Sequence, residues 1–306
     1  MSDLIVRHGN SNVCKLNSDI ENQELKYFTF DILEKTGIVD HLFSTRKGGV
    51  SKEHLESLNF SYSQGDIKEN VDENYKRIAK HFGITTDDIV TSSQTHTTNI
   101  RKVTKADKGK GLTKARDYDN IDGLITNEKG ILLSTFYADC VPLFIVDIKN
   151  KAIGLSHSGW RGTVGKMGEV TLNEMHKEYG TTANDVKAVI APSICQKCYE
   201  VSEDVALEFE KAFPQNDDMA FEYLKRYKSD INQKDIEDCL LYKKDNNKYQ
   251  LNLWYANYRV FRDYGVPDEN IAITDICTCC NSKLLFSHRA SNGKRGNLGA
   301  FLILTK

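Results

Sequence analysis

The chain has 306 residues, is 40% hydrophobic and 27% charged, and carries a formal charge of −2. Such a composition belongs to an ordinary globular protein, long enough to bury a core without staples. The near balance of charge excludes a general polyanion binder, because nucleic-acid-binding domains show a clear basic excess.

The first 40 residues alternate polar and apolar, with strands expected around Leu4–Arg7 and Tyr27–Leu33. MSDLIVRHGNSNVCK lacks a basic stretch followed by a long apolar one, so no targeting signal is expected. The most apolar run, Ile131 to Val146, contains Asp139 and is too short to span a bilayer, so no membrane partner is expected. The expected compartment is the cytoplasm. His41-Leu42-Phe43-Ser44-Thr45 reads as a strand entering the turn Arg46-Lys47-Gly48-Gly49-Val50-Ser51. Asp66 and Glu69 have the spacing of a capping box for a helix in which Val71, Tyr75, Ile78, Ala79 and Phe82 share a face. Gly83 ends it, and Asp88–Ser93 leads as a strand toward His96.

Residues 101–120 are rich in lysine and glycine and read as a mobile surface loop. After Asp122-Gly123, the stretch Thr135–Gly162 reads as two apolar strands joined by a polar turn, Cys140 in the first and His157 ending the second. A helix is expected from Gly162 to about Tyr179, a buried strand over Val186–Ile190, and a helix over Glu203–Phe213. Residues 215–248 are polar, apart from a short helix near Met219–Tyr227, and read as an insertion or lid on the same domain. A helix over Trp254–Tyr264 and strands at Ile271–Ile276 and Ala300–Leu304 complete the pattern. Mixed strands and helices without a convincing linker give one α+β domain over 1–306.

Eight cysteines stand at 14, 140, 195, 198, 239, 277, 279 and 280. Their scatter favours metal binding, catalysis or burial over a disulfide framework. His96, Cys140 and His157 supply two imidazoles and one thiolate from distant segments. Three protein ligands with a fourth position open is the count of a catalytic zinc site. Spacing alone is a weak signal: a lone cysteine in an apolar strand is more often a small core residue, although the Gly-Trp-Arg-Gly turn beside His157 suggests function. Cys195-x-x-Cys198 with Cys277, Cys279 and Cys280 is a rival four-sulfur site, although C-x-C-C is not the usual paired knuckle. Arg46, Arg161 and Arg289 end or follow apolar strands, where guanidinium groups suit phosphate or carboxylate, or plain surface ion pairs. Gly293-Lys294-Arg295-Gly296 does not match a phosphate loop.

Taken in order, Phe43-Ser44-Thr45-Arg46, Gly48-Gly49-Val50-Ser51, Leu58-Asn59, Gln94-Thr95-His96 and Asp122-Gly123 resemble the YfiH-type family. So do Ala138-Asp139-Cys140-Val141-Pro142, His157-Ser158-Gly159-Trp160-Arg161-Gly162, Tyr199-Glu200-Val201, Cys277-Thr278 and Phe286-Ser287-His288-Arg289. The family is also described as multicopper polyphenol oxidase-like, or as a type of purine nucleoside phosphorylase.

The resemblance implies a zinc site on His96, Cys140 and His157. It also implies a single α+β domain of packed mixed sheets with flanking helices, similar to the cytotoxic necrotizing factor catalytic domain. It implies phosphorolysis of adenosine, inosine and methylthioadenosine, and adenosine deamination. For that chemistry Arg46, Arg161 and Arg289 are the expected phosphate clamp, and Asn59 is a further expected substrate-binding residue. Catalytic parts fall to Asp139, Cys140 and His288, with His288 a proton donor to the leaving base. Three departures stand out. Asn252 occupies the place of an aspartate in Leu-Asp-Leu-Trp. The register of Thr-Gly-Arg reads Arg295-Gly296-Asn297, which moves the cation to Arg295. Segment 215–248 is longer than in the family.

Zinc chemistry, which lowers the pKa of bound water, suits purine deamination. Copper is the alternative ion, with laccase-like phenol oxidation as the alternative activity. Multicopper centres need many histidines, whereas this chain has eight and no His-x-His pair. A cysteine hydrolase with Cys140 activated by His157, and a peptidoglycan-editing factor, are further alternatives.

Overall fold

The computed structural model describes residues 5–9 and 12–305. Of the strand expected at 4–7, Leu4 lies outside the described residues, and Arg7 makes a single bridge to Ile276. The strands begin with β1 (Cys14–Ser18), β2 (Lys26–Phe30), β3 (Val39–Ser44), β4 (Ile89–Thr91), β5 (Ile100–Lys102), β6 (Gly123–Thr126) and β7 (Leu132–Tyr137). Then come β8 (Val141–Asp147), β9 (Ala152–Ser158), β10 (Val186–Ile190) and β11 (Glu200–Val201). β12 (Leu241–Lys243), β13 (Tyr249–Leu251), β14 (Ile271–Ile273) and β15 (Leu298–Leu304) complete the set.

Two six-stranded mixed sheets result, ordered β1-β2-β3-β15-β7-β4 and β14-β10-β8-β9-β6-β5, beside a small sheet β11-β13-β12. Side-chain alternation in β8 explains how they stack. Phe144 and Val146 point into the core shared with the first sheet, among Phe30, Phe43 and Leu302. Val141, Leu143 and Ile145 point the other way, toward Met167, Leu172, Tyr258 and Phe261. Those residues belong to the helices Met167–Tyr179 and Leu253–Tyr264. The outer face of the first sheet, with Leu42, Leu132, Phe301 and Ile303, is covered by Val71, Tyr75 and Ile78 of the helix Lys68–His81. The chain is therefore α+β, two mixed sheets face to face with helices on both outer faces.

Several sequence expectations are corrected. The capping box at Asp66 does not form, because the helix starts at Lys68 with Ile67 at its cap. Asp66 instead accepts from the Ile67 amide and from Asn70 and Asn59. The helix expected from Gly162 breaks in two, Trp160–Val164 and Met167–Tyr179, at Lys166, whose φ is +59°. The 101–120 loop is pinned rather than loose: Asp107 pairs with Arg101 and Lys110, Lys108 with Asp88, and Arg116 donates to the Ser92 carbonyl. Segment 215–248 contains the helices Asp217–Leu224 and Gln233–Glu237. Its Ala220, Tyr223, Leu224 and Leu240 join the main helical core. Asn252 accepts from the Tyr255 amide and caps the helix Leu253–Tyr264, work that an asparagine does as well as an aspartate.

Candidate metal centre

Cys140 does not lie in a strand. The chain leaves the first sheet at Tyr137, turns through Ala138-Asp139-Cys140, and enters the second sheet at Val141. Asp139 makes this corner with φ +89°, a conformation rare for a residue with a side chain. Its carboxylate accepts from the Thr278 hydroxyl at 2.6 Å and the Arg289 amide at 2.7 Å, and its carbonyl from the Ile194 amide. These bonds hold the corner, and with it Cys140, at the junction of the sheets.

His157 sits near the end of β9, opposite Pro142 of β8. His96 comes from the loop after β4. Gln94 fixes that loop by bonding both the amide and the carbonyl of Phe136 in β7. The ligand atoms of His96, Cys140 and His157 all lie within 4.8 Å of one another. The Cys140 sulfur is 3.9 Å from His96 Nε2, and the two rings are 4.9 Å apart, edge to face. Gly159 permits the approach: a Cβ there would meet His96 Cδ2 at 2.8 Å and the Cys140 sulfur at 3.2 Å.

Asp122 governs the trio, a part sequence reasoning missed. It is fully buried and accepts five hydrogen bonds: from the amides of Thr95, His96 and Thr97, the Thr97 hydroxyl, and His157 Nδ1 at 2.8 Å. The last bond turns His157 Nε2 toward the centre, as in carboxylate–histidine–metal arrangements. The only signal was the pair Asp122-Gly123, quoted as a motif without a role. Burial pushes the Asp122 carboxyl up, but His157 and the Thr95 and Thr97 amides outweigh it and bring it down to about 2. Burial likewise opposes ionisation of Cys140, yet the His157 charge and bonds from both histidines bring the thiol down to about 6. Burial lowers His157, and the facing Cys140 and Asp122 raise it to about 9. A thiolate held between imidazoles is the donor set that zinc or copper takes. The residues fit such an ion.

A cleft of about 590 Å³ opens over the trio, within the range of small-molecule sites. Its walls include Phe136, Tyr199, Trp160 and Ile194, and its polar groups include Arg161, His288, Arg289 and Arg295. Of the expected substrate residues, Arg161 is exposed at the mouth, stacked on Trp160 at 4.3 Å. Arg289 lines the cleft, but its guanidinium donates to the carbonyls of Cys198 and Glu200 and braces the Tyr199 wall. Arg46 is not brought to the cleft. It lies over the Phe286 ring and donates to the carbonyls of Glu56, Ser282 and His54. Asn59 is buried behind the wall, accepting from the Ser61 and Asn297 amides. Arg295 does reach the cleft, hydrogen-bonded to Asn297 and close enough to Asp139 and Cys140 to feel their charge. Its Nε is buried without a partner. None of residues 215–248 lines the cleft.

Two mixed sheets meet at a thiolate–imidazole corner under an arginine-rimmed cleft, an arrangement with the donors for a metal ion and room for a small molecule. The chain belongs to the family described as multi-copper polyphenol oxidoreductase laccase, which matches residues 40–305. It is 33% identical over 264 residues to the purine nucleoside phosphorylase YlmD of Bacillus subtilis (strain 168), covering 85% of this chain and 86% of that one. It is 29% identical over 249 residues to adenosine deaminase RL5 from an unknown prokaryotic organism, covering 81% and 87%. Among solved structures, the Bacillus licheniformis hypothetical protein YfiH superposes with a TM-score of 0.81 at 26% identity, covering 96% of this chain and 100% of that one. YlmD from Geobacillus stearothermophilus gives 0.79 at 26%, covering 98% and 100%.

Proposed function

We propose that the chain is a zinc-dependent purine nucleoside phosphorylase acting on adenosine, inosine and methylthioadenosine, with adenosine deamination as a second activity. The observation that carries this reading is the convergence of His96, Cys140 and His157 within 4.8 Å beneath a cleft with cationic walls. The names borne by the relatives support the substrate class. A zinc ion bound by the trio supplies Lewis acidity toward a substrate oxygen.

The chain's own residues do the rest. Arg161 and Arg295 hold phosphate, because Arg46 and Arg289 have their donors engaged on backbone carbonyls. Tyr199 and Phe136 offer ring faces to the purine. In phosphorolysis a phosphate oxygen bonds to C1′ as the N9–C1′ bond breaks. The electron pair leaves with the base, and His288, exposed in the cleft wall, gives a proton to N7. Asp139 positions: both of its carboxylate oxygens already accept hydrogen bonds.

Incubating the zinc-loaded protein with adenosine and phosphate tests the reading by product analysis. Adenine with ribose 1-phosphate is the expected main product, and inosine with ammonia the second. Unchanged nucleoside, together with fast phenol turnover by a copper-loaded sample, would overturn it in favour of the oxidase.

A further inference from the structure

A second group of metal-capable side chains lies outside the cleft. His8, Cys195, Cys277 and Cys280 place their ligand atoms within 4.8 Å of one another. We infer that these four residues form a second, structural zinc site of three thiolates and one imidazole. Of the cysteines in the all-sulfur candidate, the fold keeps Cys195, Cys277 and Cys280, leaves out Cys198 and Cys279, and adds His8 from the N-terminal segment.

The placement follows from topology. β10 and β14 are parallel neighbours, so the segments leaving their C-terminal ends run side by side and join through a Ser193–Cys277 bridge. These segments carry Cys195 and Cys277–Cys280. The N-terminal segment crosses them: the His8 amide donates to the Asp275 carbonyl, and Arg7 bridges Ile276. Three pieces of chain far apart in sequence thus meet with little regular structure to hold them.

The chemistry is that of a closed zinc site. Tetrahedral bonds of about 2.0–2.3 Å set neighbouring donors roughly 3.5–3.8 Å apart, so closure on an ion asks for side-chain shifts of about an ångström. The Cys277 sulfur accepts from the amides of Cys195 and Cys280 at 3.3 and 3.4 Å, the bonds that support a metal-bound thiolate. His8 Nε2 is shielded from solvent and faces the Cys277 sulfur. Four donors leave no open position, which makes the site structural rather than catalytic. The competing arrangement is a disulfide between Cys198 and Cys280, whose sulfurs are 3.5 Å apart.

The site adjoins the cleft. Thr278 bonds Asp139, the Cys198 carbonyl receives Arg289, and the Ile194 amide donates to the Asp139 carbonyl. An ion here staples the loops that form one wall.

The test is metal stoichiometry by elemental analysis on full-length protein after dialysis against a weak chelator. Two zinc ions per chain are expected, one in Cys140→Ser, and none in Cys140→Ser/Cys280→Ser. Cys280 is exposed, so its replacement should fold, and circular dichroism checks that it does. In the Cys140→Ser background, cobalt(II) should give the intense visible bands of a tetrahedral thiolate site. His8→Ala should alter those bands and Cys198→Ser should leave them. A Cys140→Ser protein with no metal, or a Cys198–Cys280 disulfide found by peptide mass mapping, overturns the assignment. So does a spectrum that ignores His8→Ala and vanishes with Cys198→Ser.

Discussion

Two sulfur–imidazole clusters lie on either side of Asp139, and they differ in donor count and in what holds them. The cleft trio has three donors, opens to a cavity, and is oriented by hydrogen bonds to Asp122. The His8–Cys195–Cys277–Cys280 group has four donors, and its segments are joined by isolated bridges and scattered backbone bonds. An open position permits substrate chemistry, while a full shell can only bind chain to chain. On the two assignments proposed, the same residue types serve turnover in one place and folding in the other.

The comparison breaks first at Cys140. Cys140→Ser should lower nucleoside turnover by more than about 10³-fold and remove one zinc while the other stays. Loss of both ions, read by elemental analysis, would show that the clusters are not independent.

Asp122→Asn comes next. Zinc affinity of the trio should fall about 10–100-fold, and the metal-free protein should lose about 3 kcal/mol at neutral pH from its broken buried network. The folded Asp122 carboxyl lies near 2, below its ordinary range. Its stabilisation is therefore complete above about pH 4 and disappears as pH falls through about 2. Denaturant curves of the two proteins should converge over that window; a gap independent of pH contradicts the assignment.

Gly159→Ala sharpens the trio's geometry. The added methyl displaces His96 or Cys140, so turnover should drop about 10–100-fold with stability changed by about 1 kcal/mol. Unchanged kinetics would mean that the His96 ring yields without cost.

The smallest effects separate two arginines. Arg295→Ala should raise KM for phosphate about tenfold with little change in Tm. Arg46→Ala should leave KM alone and cost about 2 kcal/mol in stability, because its work is on three carbonyls and a ring.

Strand and helix positions were largely legible, since period-two and period-3.6 patterns are local: Val186–Ile190 and the Leu253–Tyr264 helix are cases. The ordered motifs also singled out His96, Cys140 and His157, which the fold brings within 4.8 Å of one another. What stayed hidden depends on direction and on distant partners. Nothing in TFYADCVPLF says that the chain changes sheets at Asp139. An arginine beside a glycine-bearing turn looks the same whether its guanidinium reaches a cleft, as Arg295 does, or caps a turn, as Arg46 does. Asp122 acts by collecting donors from residues 95–97 and 157, a role with no periodic signature. His8 sits 187 positions before Cys195, and only the crossing of the N-terminal segment joins them.

Because five donors converge on Asp122, the imidazoles of two distant segments keep their spacing through the protein's own bonds. A seat set in advance selects an ion by its spacing and by its donors, one thiolate and two imidazoles.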